Sequence, residues 1–175
     1  MSVQEHKAHA RTHLKVGVLT ASDTRTRDDD KSGALIKQMF EAAGHRVEFY
    51  AIVRDDADTI AAAITANLAR LDAMIVTGGT GVAPRDVTAD VVKKMLTTEL
   101  PGFGELFRML SYQEIGSAAL ASRALAGMCN GKFIAALPGS TGGCRLAMEK
   151  LILPEIGHLV DLANPSANRH ESSHH

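Results

Sequence analysis

A glycine-rich turn at residues 77–81 is the part of this chain whose residue types are best suited to chemistry. It follows the apolar, β-branched run 73–76, which is typical of a buried strand. Glycine lets a ligand approach the backbone closely, so the turn can present several N–H groups in a small concavity. Asp86 and Thr88 come next, and we expect Thr88 to cap a following helix. The order of strand, glycine turn and helix start predicts an anion or phosphate site.

A second glycine-rich turn, at residues 138–143, follows another apolar run at 132–137. Either turn alone could be a tight structural turn, and Ser140 or Thr141 could simply cap the next helix. Two such turns after two strands of one sheet favour ligand binding instead. The first turn lacks the Gly-Lys-Ser/Thr of a Walker A loop, and Pro84 stands where a dinucleotide fingerprint needs its third glycine. The motifs therefore predict a phosphorylated ligand without identifying it.

Two carboxylates, Asp55 and Asp86, lie just past predicted strand ends. A hard cation such as Mg²⁺ could be held there between protein oxygens and a polyphosphate. Two other interpretations stay open: Asp55 as a charge at a helix N-terminus, and Asp86 as a surface partner of Arg85 or Arg54. Three aspartates at 28–30 favour a solvated loop over a metal site. No histidine pair at i,i+4 lies on a predicted helix face, and a Ser-His-Asp triad is not indicated.

The apolar pattern alternates between strands and helices over the first hundred residues. Strands are predicted at 15–20, 47–53 and 73–76, and a helical pattern with a period of 3.6 residues follows each one. Ser32 is expected to cap the first helix and Gly44 to end it. Three strand–helix repeats predict an α/β fold with a parallel sheet and right-handed crossovers.

Residues 101–131 break this rhythm, because they show two helical patterns and no strand-like run. We predict that they form a helical insertion before a last strand at 132–137, which a final helix at 145–162 follows. In a parallel α/β sheet, ligands bind at the carboxyl ends of the strands. The loops that we expect to meet there are 21–31, 54–56, 78–86 and 138–143.

Composition excludes several classes of protein. The hydrophobic fraction of 45% is ordinary for one globular domain, and a net charge of −1 argues against nucleic acid or an anionic membrane as the main partner. Cys129 and Cys144 have no metal-ligand spacing, so we expect free thiols in a reducing cytosol. No apolar run is long enough for a leader peptide or a membrane span. We expect a soluble, cytoplasmic protein.

The domain boundaries follow from the polar character of both ends. Residues 1–13 carry histidines without apolar periodicity and are predicted to be a flexible arm. A single domain is expected at 14–162. The polar residues 163–175 form a predicted tail to which we assign no role.

Several motifs occur together in these loops and in the 101–131 region. They are Thr20-Ala21-Ser22-Asp23-Thr24-Arg25, Thr77-Gly78-Gly79-Thr80-Gly81, Arg85-Asp86-Val87-Thr88, Pro138-Gly139-Ser140, and the stretch 102–112 followed by Ser122-Arg123-Ala124 and Gly127. The set resembles the MoaB/Mog family of molybdenum cofactor biosynthesis proteins from about residue 14 to residue 162. The variants at 107–112 and 138–140 are most similar to the MoaB (molybdenum cofactor biosynthesis protein B) branch.

The resemblance implies a molybdopterin-binding α/β fold, a three-layer and mostly parallel sheet flanked by helices. It implies adenylyl transfer, in which molybdopterin and Mg-ATP give adenylylated molybdopterin and pyrophosphate, with Mg²⁺ as cofactor. Implied partners are further copies of the chain, in a homotrimer or homohexamer, and other proteins of the pathway. The implied catalytic and Mg²⁺-binding residues are Asp55 and Asp86. The implied substrate-binding residues are Ser22, Asp23, Thr24, Thr77, Gly78, Gly79, Thr80, Gly81, Pro138, Gly139 and Ser140.

Two alternatives to adenylyl transfer stay open. A non-catalytic molybdopterin-binding carrier or assembly protein would use the same loops without a reaction. A generic nucleotide-binding regulator would explain the loops but not the whole set of motifs. The presence of both acidic residues favours the enzyme. Arg25 or Arg85 could steady phosphate oxygens or form surface ion pairs.

Overall fold

Six strands form one sheet in this protein. In the computed structural model, which describes residue 2, residues 4–5 and residues 10–165, their order is 2-1-3-6-5-4. The strands are β1 (Lys15–Ala21), β2 (Arg46–Val53), β3 (Ala73–Thr77), β4 (Thr98–Glu99), β5 (Leu125–Cys129) and β6 (Lys132–Leu137). β2, β1, β3 and β6 run parallel, whereas β5 is antiparallel to both β6 and β4. The predicted mostly parallel sheet is confirmed.

Helices cover both faces of the sheet. They are α1 (Lys31–Ala42), α2 (Ala57–Asn67), α3 (Thr88–Met95), α4 (Pro101–Ile115), α5 (Thr141–Ala147) and α6 (Leu153–Ala163), with a π-helical turn at Met148–Ile152 between the last two. Alternate strand residues point to opposite faces. Val18 and Ile75 therefore pack in the core beneath α1 and α6, whereas Leu19 and Val76 pack beneath α2 and α3. The predicted three-layer α/β fold is confirmed.

The prediction for residues 101–131 is wrong in its second half. α4 and a 3₁₀ turn at Gly116–Ala121 are helical, but the following residues form β5. β5 pairs with β6 through the two-residue turn Asn130-Gly131, whose φ angles of 49° and 82° are both positive. Such a turn matches the twist of a hairpin, and Asn-Gly is its usual sequence. The antiparallel edge of the sheet was therefore missed.

Two predicted helix caps are also wrong. The first helix is capped by Asp30, which accepts the Gly33 N–H at 3.1 Å, and Ser32 lies inside the helix. Asp30 is 1% exposed, so the run at 28–30 is not wholly a solvated loop. Thr88 is the first residue of α3 and does not cap it. The last helical region begins at Thr141 rather than at 145, and Ser140 caps it through the Gly143 N–H.

The chain just before β1 contacts the domain. Arg11 Nε donates to Asp161 Oδ1 at 2.8 Å, and Arg11 Nη1 lies 3.4 Å from Asp72 Oδ1. The predicted arm boundary after residue 13 stays a prediction, and residues 166–175 of the predicted tail lie outside the described part. Among the described residues, no helix is long and apolar enough to cross a membrane.

Candidate functional site

Four loops meet at the carboxyl edge of the parallel strands, as predicted. The loop after β1 contacts the loop after β2, because the Asp55 N–H donates to Asp23 Oδ1 at 3.0 Å. It also contacts the loop after β6, where Arg25 Nη2 donates to the Gly139 carbonyl at 3.2 Å. A Cβ atom placed on Gly139 would lie 3.6 Å from the Gly78 Cα, so the two glycine turns touch. β1 and β3 are neighbours in the sheet, and the helices that follow them, α1 and α3, pack on opposite faces of it. Ligands of open α/β sheets usually bind in the crevice between two such strands.

The glycines of the 77–81 turn are required by the packing around them. Gly78 and Gly79 have φ angles of 96° and 71°, a region that side chains with a Cβ rarely adopt. A Cβ on Gly78 would lie 2.5 Å from the Ala21 carbonyl oxygen. A Cβ on Gly79 would lie 2.5 Å from Thr88 Oγ1 and 3.1 Å from Asp55 Oδ1. The turn is thus pressed directly against the Asp55 carboxylate.

The same turn presents backbone donors without acceptors. Among the described residues, none accepts a hydrogen bond from the N–H groups of Gly79, Thr80, Gly81 or Val82. The N–H groups of Gly139 and Ser140, in the second turn, also lack an acceptor within this part of the chain. Backbone donors are normally paired in a folded protein, and consecutive unpaired N–H groups form an anion-binding concavity. The turns are therefore suited to hold phosphate oxygens.

A cavity of about 540 Å³ opens beside both turns. One side is formed by residues 79–81, Asp86, residues 138–140, Gly142 and Gly143, and Ser111, Glu114 and Ser122 add polar groups elsewhere in the lining. Its opposite side comes from α4 and the 3₁₀ turn after it, together with α5. The apolar residues on that side are Phe107, Ile115, Ala118, Ala119 and Leu146. The cavity can therefore take a ligand that is anionic at one end and apolar, or flat and aromatic, at the other.

The two predicted carboxylates both lie against the first turn. Asp86 Oδ2 accepts the Ala83 N–H at 2.9 Å and lies 2.7 Å from the position of a Cβ on Gly81. Asp55 is not the cap of α2, because Asp56 Oδ1 accepts the Thr59 N–H at 2.9 Å. None of the ion pairs within the described residues includes Asp86. The surface-pair interpretation of Asp86 is therefore not supported.

Asp55 has the most perturbed environment of the site. Burial raises its pKa, and so do the nearby carboxylates of Asp23 and Asp86, while Arg85 acts in the opposite direction. Its Oδ1 atom is buried and has no hydrogen-bond partner among the described residues, and the same holds for Thr88 Oγ1. A buried polar atom without a partner is costly. Asp55 is thus a carboxylate that a cation would stabilise.

The residues fit a Mg²⁺ ion that arrives with a phosphate ligand. Within the described part of the chain, no three His, Cys, Asp or Glu side chains cluster closely enough to hold a metal by themselves. Mg²⁺ is commonly bound by only one or two carboxylates together with substrate phosphates. The unpaired Asp55 Oδ1 beside the free N–H groups of the turn matches that mode.

The predicted site residues divide into two groups. Those that line the cavity are Gly79, Thr80, Gly81, Asp86, Pro138, Gly139 and Ser140. Those that the cavity wall does not include are Ser22, Asp23, Thr24, Asp55, Thr77 and Gly78. Ser22 Oγ accepts the N–H groups of Thr24 and Arg25, and Thr77 Oγ1 donates to the Pro138 carbonyl at 2.7 Å. In the second group, Ser22 and Thr77 therefore shape the loops, and Asp55 would act on a ligand only through a bound cation. Residues of the first group can touch a ligand directly.

Sequence reasoning missed a buried carboxylate that anchors the loop after β1. Asp30 Oδ2 accepts from Thr20 Oγ1 at 2.7 Å and from the Tyr50 hydroxyl at 2.6 Å. Burial and this hydrogen bond to Asp30 raise the pKa of Tyr50. Arg25 Nη1 lies 3.7 Å from Asp30 Oδ1, so Arg25 links this anchor to Gly139. The run of three adjacent aspartates at 28–30 does not indicate from sequence that Asp30 alone among them is buried.

Comparisons with known proteins show which family has this sequence and fold. A family model described as a probable molybdopterin binding domain matches residues 17–158. The chain belongs to this family. A relative in the molybdopterin-binding family, Molybdenum cofactor biosynthesis protein B of Halalkalibacterium halodurans, is 50% identical over 163 residues, which are 91% of this chain and 96% of the relative. The protein of the same name from Bacillus subtilis is 48% identical over equal shares.

Solved structures of the family have the same fold. The crystal structure of a Molybdenum cofactor biosynthesis protein B superposes with a TM-score of 0.84 at 46% identity and covers 87% of this chain and 97% of the other. The tungsten cofactor synthesizing protein MoaB from Pyrococcus furiosus superposes with a TM-score of 0.80 at 35% identity, over 88% and 99%. The predicted membership of the MoaB/Mog family is therefore confirmed.

Proposed function

We propose that this protein acts in molybdenum cofactor biosynthesis by binding molybdopterin and transferring AMP to its phosphate. The observation that carries the proposal is the row of four unpaired N–H groups at 79–82, with Asp55 and Asp86 beside them, at the edge of a 540 Å³ cavity. Relatives named for molybdenum cofactor biosynthesis, at up to 50% identity over nearly the whole chain, support this assignment.

The cavity suits the two chemical halves of molybdopterin. Its phosphate would lie at the glycine turns, where backbone N–H groups can bind phosphate oxygens. Its flat pterin would lie towards the apolar wall of α4 and α5, which includes Phe107 and Leu146. Ser140 would contact the ligand from the second turn.

Adenylyl transfer needs no protein nucleophile. An oxygen of the molybdopterin phosphate would attack the α-phosphorus of ATP, and the bond from that phosphorus to the bridging oxygen would break, releasing pyrophosphate. The protein must bring two anions together, which repel each other. Fixed N–H donors offset that repulsion, and in-line positioning supplies much of the remaining acceleration.

Asp55 and Asp86 would form the cation-binding part of the site. Asp55 and Asp86 would bind Mg²⁺ together with ATP phosphate oxygens, and the ion would supply positive charge where negative charge gathers on the phosphates. Asp86 is already oriented by the Ala83 N–H, and Asp55 by the packing of Gly79 against it. Because nearby carboxylates and burial raise the pKa of Asp55, binding of Mg²⁺ there would favour its ionised form.

A homotrimer or homohexamer is the proposed assembly. Apolar side chains stand exposed on α4 and the turn that follows it, and such a surface commonly marks a protein contact. They are Leu106, Met109, Tyr112, Ile115 and Leu120. Sedimentation equilibrium of the purified protein should give a mass of three or six times 18.6 kDa. A monomeric mass would exclude this assembly.

The rival function is a non-catalytic molybdopterin carrier. It is favoured by one observation: the wall of the cavity includes the two glycine turns but not the Asp55 carboxylate. A carrier would bind molybdopterin but make no product with ATP and Mg²⁺.

Incubation with molybdopterin, ATP and Mg²⁺ separates the two functions. We expect adenylylated molybdopterin and pyrophosphate, detected by chromatography and mass spectrometry. Asp86→Asn should lower kcat by about 100-fold or more, because the removed charge faces the reacting phosphates. Its circular dichroism and Tm should remain close to those of the wild type, since Asn can still accept the Ala83 N–H. Asp58→Asn, on the exposed first turn of α2, is the matched control. A wild type that binds molybdopterin without forming product would support the carrier.

A further inference from the structure

Arg123 binds the outer side of the glycine turn, which is the side away from the 540 Å³ cavity. It lies between the 3₁₀ turn Gly116–Ala121 and β5, on a segment that has no role in the proposed reaction. Its Nε donates to the Gly81 carbonyl at 2.8 Å, and its Nη2 donates to the Asp86 carbonyl at 2.7 Å. Its backbone N–H donates to the Thr80 carbonyl at 2.8 Å. One residue thus holds three carbonyl groups of the loop that carries the candidate site.

These contacts fix the direction of the unpaired N–H groups. In a trans peptide the carbonyl and the N–H of the next residue point in opposite directions, and the described residues contain no cis peptide. When the Thr80 and Gly81 carbonyls point towards Arg123, the N–H groups of Gly81 and Val82 must point away from it. Both of these N–H groups lack acceptors among the described residues. Arg123 therefore sets the orientation of two of the four unpaired N–H groups in the first turn.

The shape of the guanidinium matters more here than its charge. Nη1 also pairs with Asp90, at 2.9 Å and 3.1 Å from its two carboxylate oxygens. That pair is solvent-exposed, with Asp90 56% exposed, and exposed ion pairs contribute little. The two carbonyl contacts need donors in a fixed fork, which arginine has and lysine lacks. The backbone of Arg123 is itself held in place, since Arg108 Nη1 donates to the carbonyl of the following Ala124 at 3.0 Å.

We propose that Arg123 is a positioning residue of the active site, which holds the 80–86 loop so that its N–H groups and Asp86 face the phosphates. This inference rests on the proposed function for its kinetic consequence, but its structural consequence can be measured without any reaction. Arg123 lines a separate groove on the outer side of the loop and is not part of the wall of the 540 Å³ cavity. It therefore acts through the loop and not on the ligand.

The test compares Arg123→Ala, Arg123→Lys and the control Asp90→Asn. In Arg123→Ala, amide hydrogen exchange of Ala83, Asp86 and Thr88, whose N–H groups are hydrogen-bonded within the loop, should rise by about tenfold or more, while exchange in β1 and β6 stays unchanged. kcat should fall by about 100-fold, with a smaller rise in KM for molybdopterin, since misplacement mainly affects attack geometry. Arg123→Lys should recover about tenfold of the lost kcat, because its ammonium can reach one of the two carbonyls that the side chain holds. The backbone contact to the Thr80 carbonyl is kept in every variant. Asp90→Asn should stay within about threefold of wild type on every measure.

The outcomes separate the two proposals. If the wild type forms no product, adenylyl transfer fails, and the inference on Arg123 is then decided by exchange at Ala83, Asp86 and Thr88 and by titration with molybdopterin. Wild-type exchange and affinity in Arg123→Ala would overturn it. Faster exchange throughout the chain would also overturn it, because Arg123 would then be a general stability residue. If Arg123→Ala does not fold, the same measurements are made on Arg123→Lys. A lysine variant equal to the wild type would overturn the role of the forked guanidinium.

Discussion

The two glycine turns line one cavity, but their glycines serve different purposes. In the first turn, Gly78 and Gly79 have positive φ angles and leave no room for a Cβ. In the second turn, Gly139 and Gly142 have ordinary φ angles, and a Cβ on Gly142 would meet nothing within 4 Å. The first turn needs glycine because of the protein's own packing. At Gly142 the second turn has glycine where the protein leaves open space beside the cavity, although a Cβ on Gly143 would lie 2.9 Å from Pro138 Cγ and from Ser140 Oγ.

The turns also differ in how their carbonyls are held. In the second turn, Thr77 and Cys144 donate to the Pro138 carbonyl, at 2.7 Å and 3.1 Å. Burial raises the pKa of the Cys144 thiol, which keeps it protonated as a donor. In the first turn, Arg123 holds the carbonyls from the outer side. The Pro138 carbonyl of the second turn is thus held from the interior of the fold, and Arg25 holds only the next carbonyl, that of Gly139. In the first turn, the Gly81 and Asp86 carbonyls both depend on one long side chain at the surface.

Gly78→Ala should have the largest effect on stability. The new Cβ would lie 2.5 Å from the Ala21 carbonyl oxygen at a φ angle of 96°, and neither backbone segment can move without disturbing the sheet. We expect the free energy of unfolding to fall by about 3 kcal/mol, from the backbone strain and the overpacking together. Urea denaturation measures this loss.

Gly102→Ala is the control for that substitution. Gly102 lies in the first turn of α4, has no positive φ angle, and its Cβ would meet nothing within 4 Å. Its unfolding free energy should change by less than about 1 kcal/mol. Equal losses in the two variants would show that the first turn is not sterically constrained as described.

Asp55→Asn should have an intermediate effect, and its size should depend on pH. The pKa of Asp55 is raised in the folded protein, so the folded state binds more protons than the unfolded state, and stability falls as pH rises above the ordinary value of 3.8. Removing the charge should therefore raise Tm near neutral pH. The gain should shrink as pH falls towards 3.8 and both states become protonated.

Asp56→Asn should change Tm in the opposite direction to Asp55→Asn. Hydrogen bonds from Thr59 lower the pKa of Asp56, so its charged form favours the folded state at neutral pH. Its replacement should lower Tm slightly near neutral pH, and the difference should vanish in acid. Calorimetry across the pH range measures both variants. A lower Tm for Asp55→Asn at neutral pH would show that its carboxylate is not crowded in the folded protein.

The parallel half of the fold could be predicted because its signals are local. Buried strands give continuous apolar runs, and helices give a 3.6-residue period, so β1, β2, β3 and β6 were found nearly in full. β5 was missed because Leu125 and Met128 also fit a helical spacing. The dipeptide Asn130-Gly131 between two apolar runs was the available signal for the hairpin.

The candidate site could be predicted only as far as strand ends define it. The rule that ligands bind at the carboxyl edge placed the loops of Asp55, Asp86 and Ser140 correctly. Arg123 lies 42 residues from Gly81 along the chain, so no local pattern could reveal their hydrogen bond. The apolar wall from α4 was missed for the same reason, since Phe107 and Ile115 resemble ordinary helix core residues until the helix is packed.

Gly142→Ala should have the smallest effect on the fold and the clearest one on the ligand. Its Cβ would enter open space at the start of α5, where alanine is also the better helix former, so Tm should stay equal or rise slightly. Because Gly142 lines the cavity, the added methyl should weaken molybdopterin binding by about tenfold, as a modest steric mismatch does. Isothermal titration measures the affinity. Unchanged affinity would mean that the ligand contacts only the first turn. The open space beside Gly142 would then have no role in ligand binding.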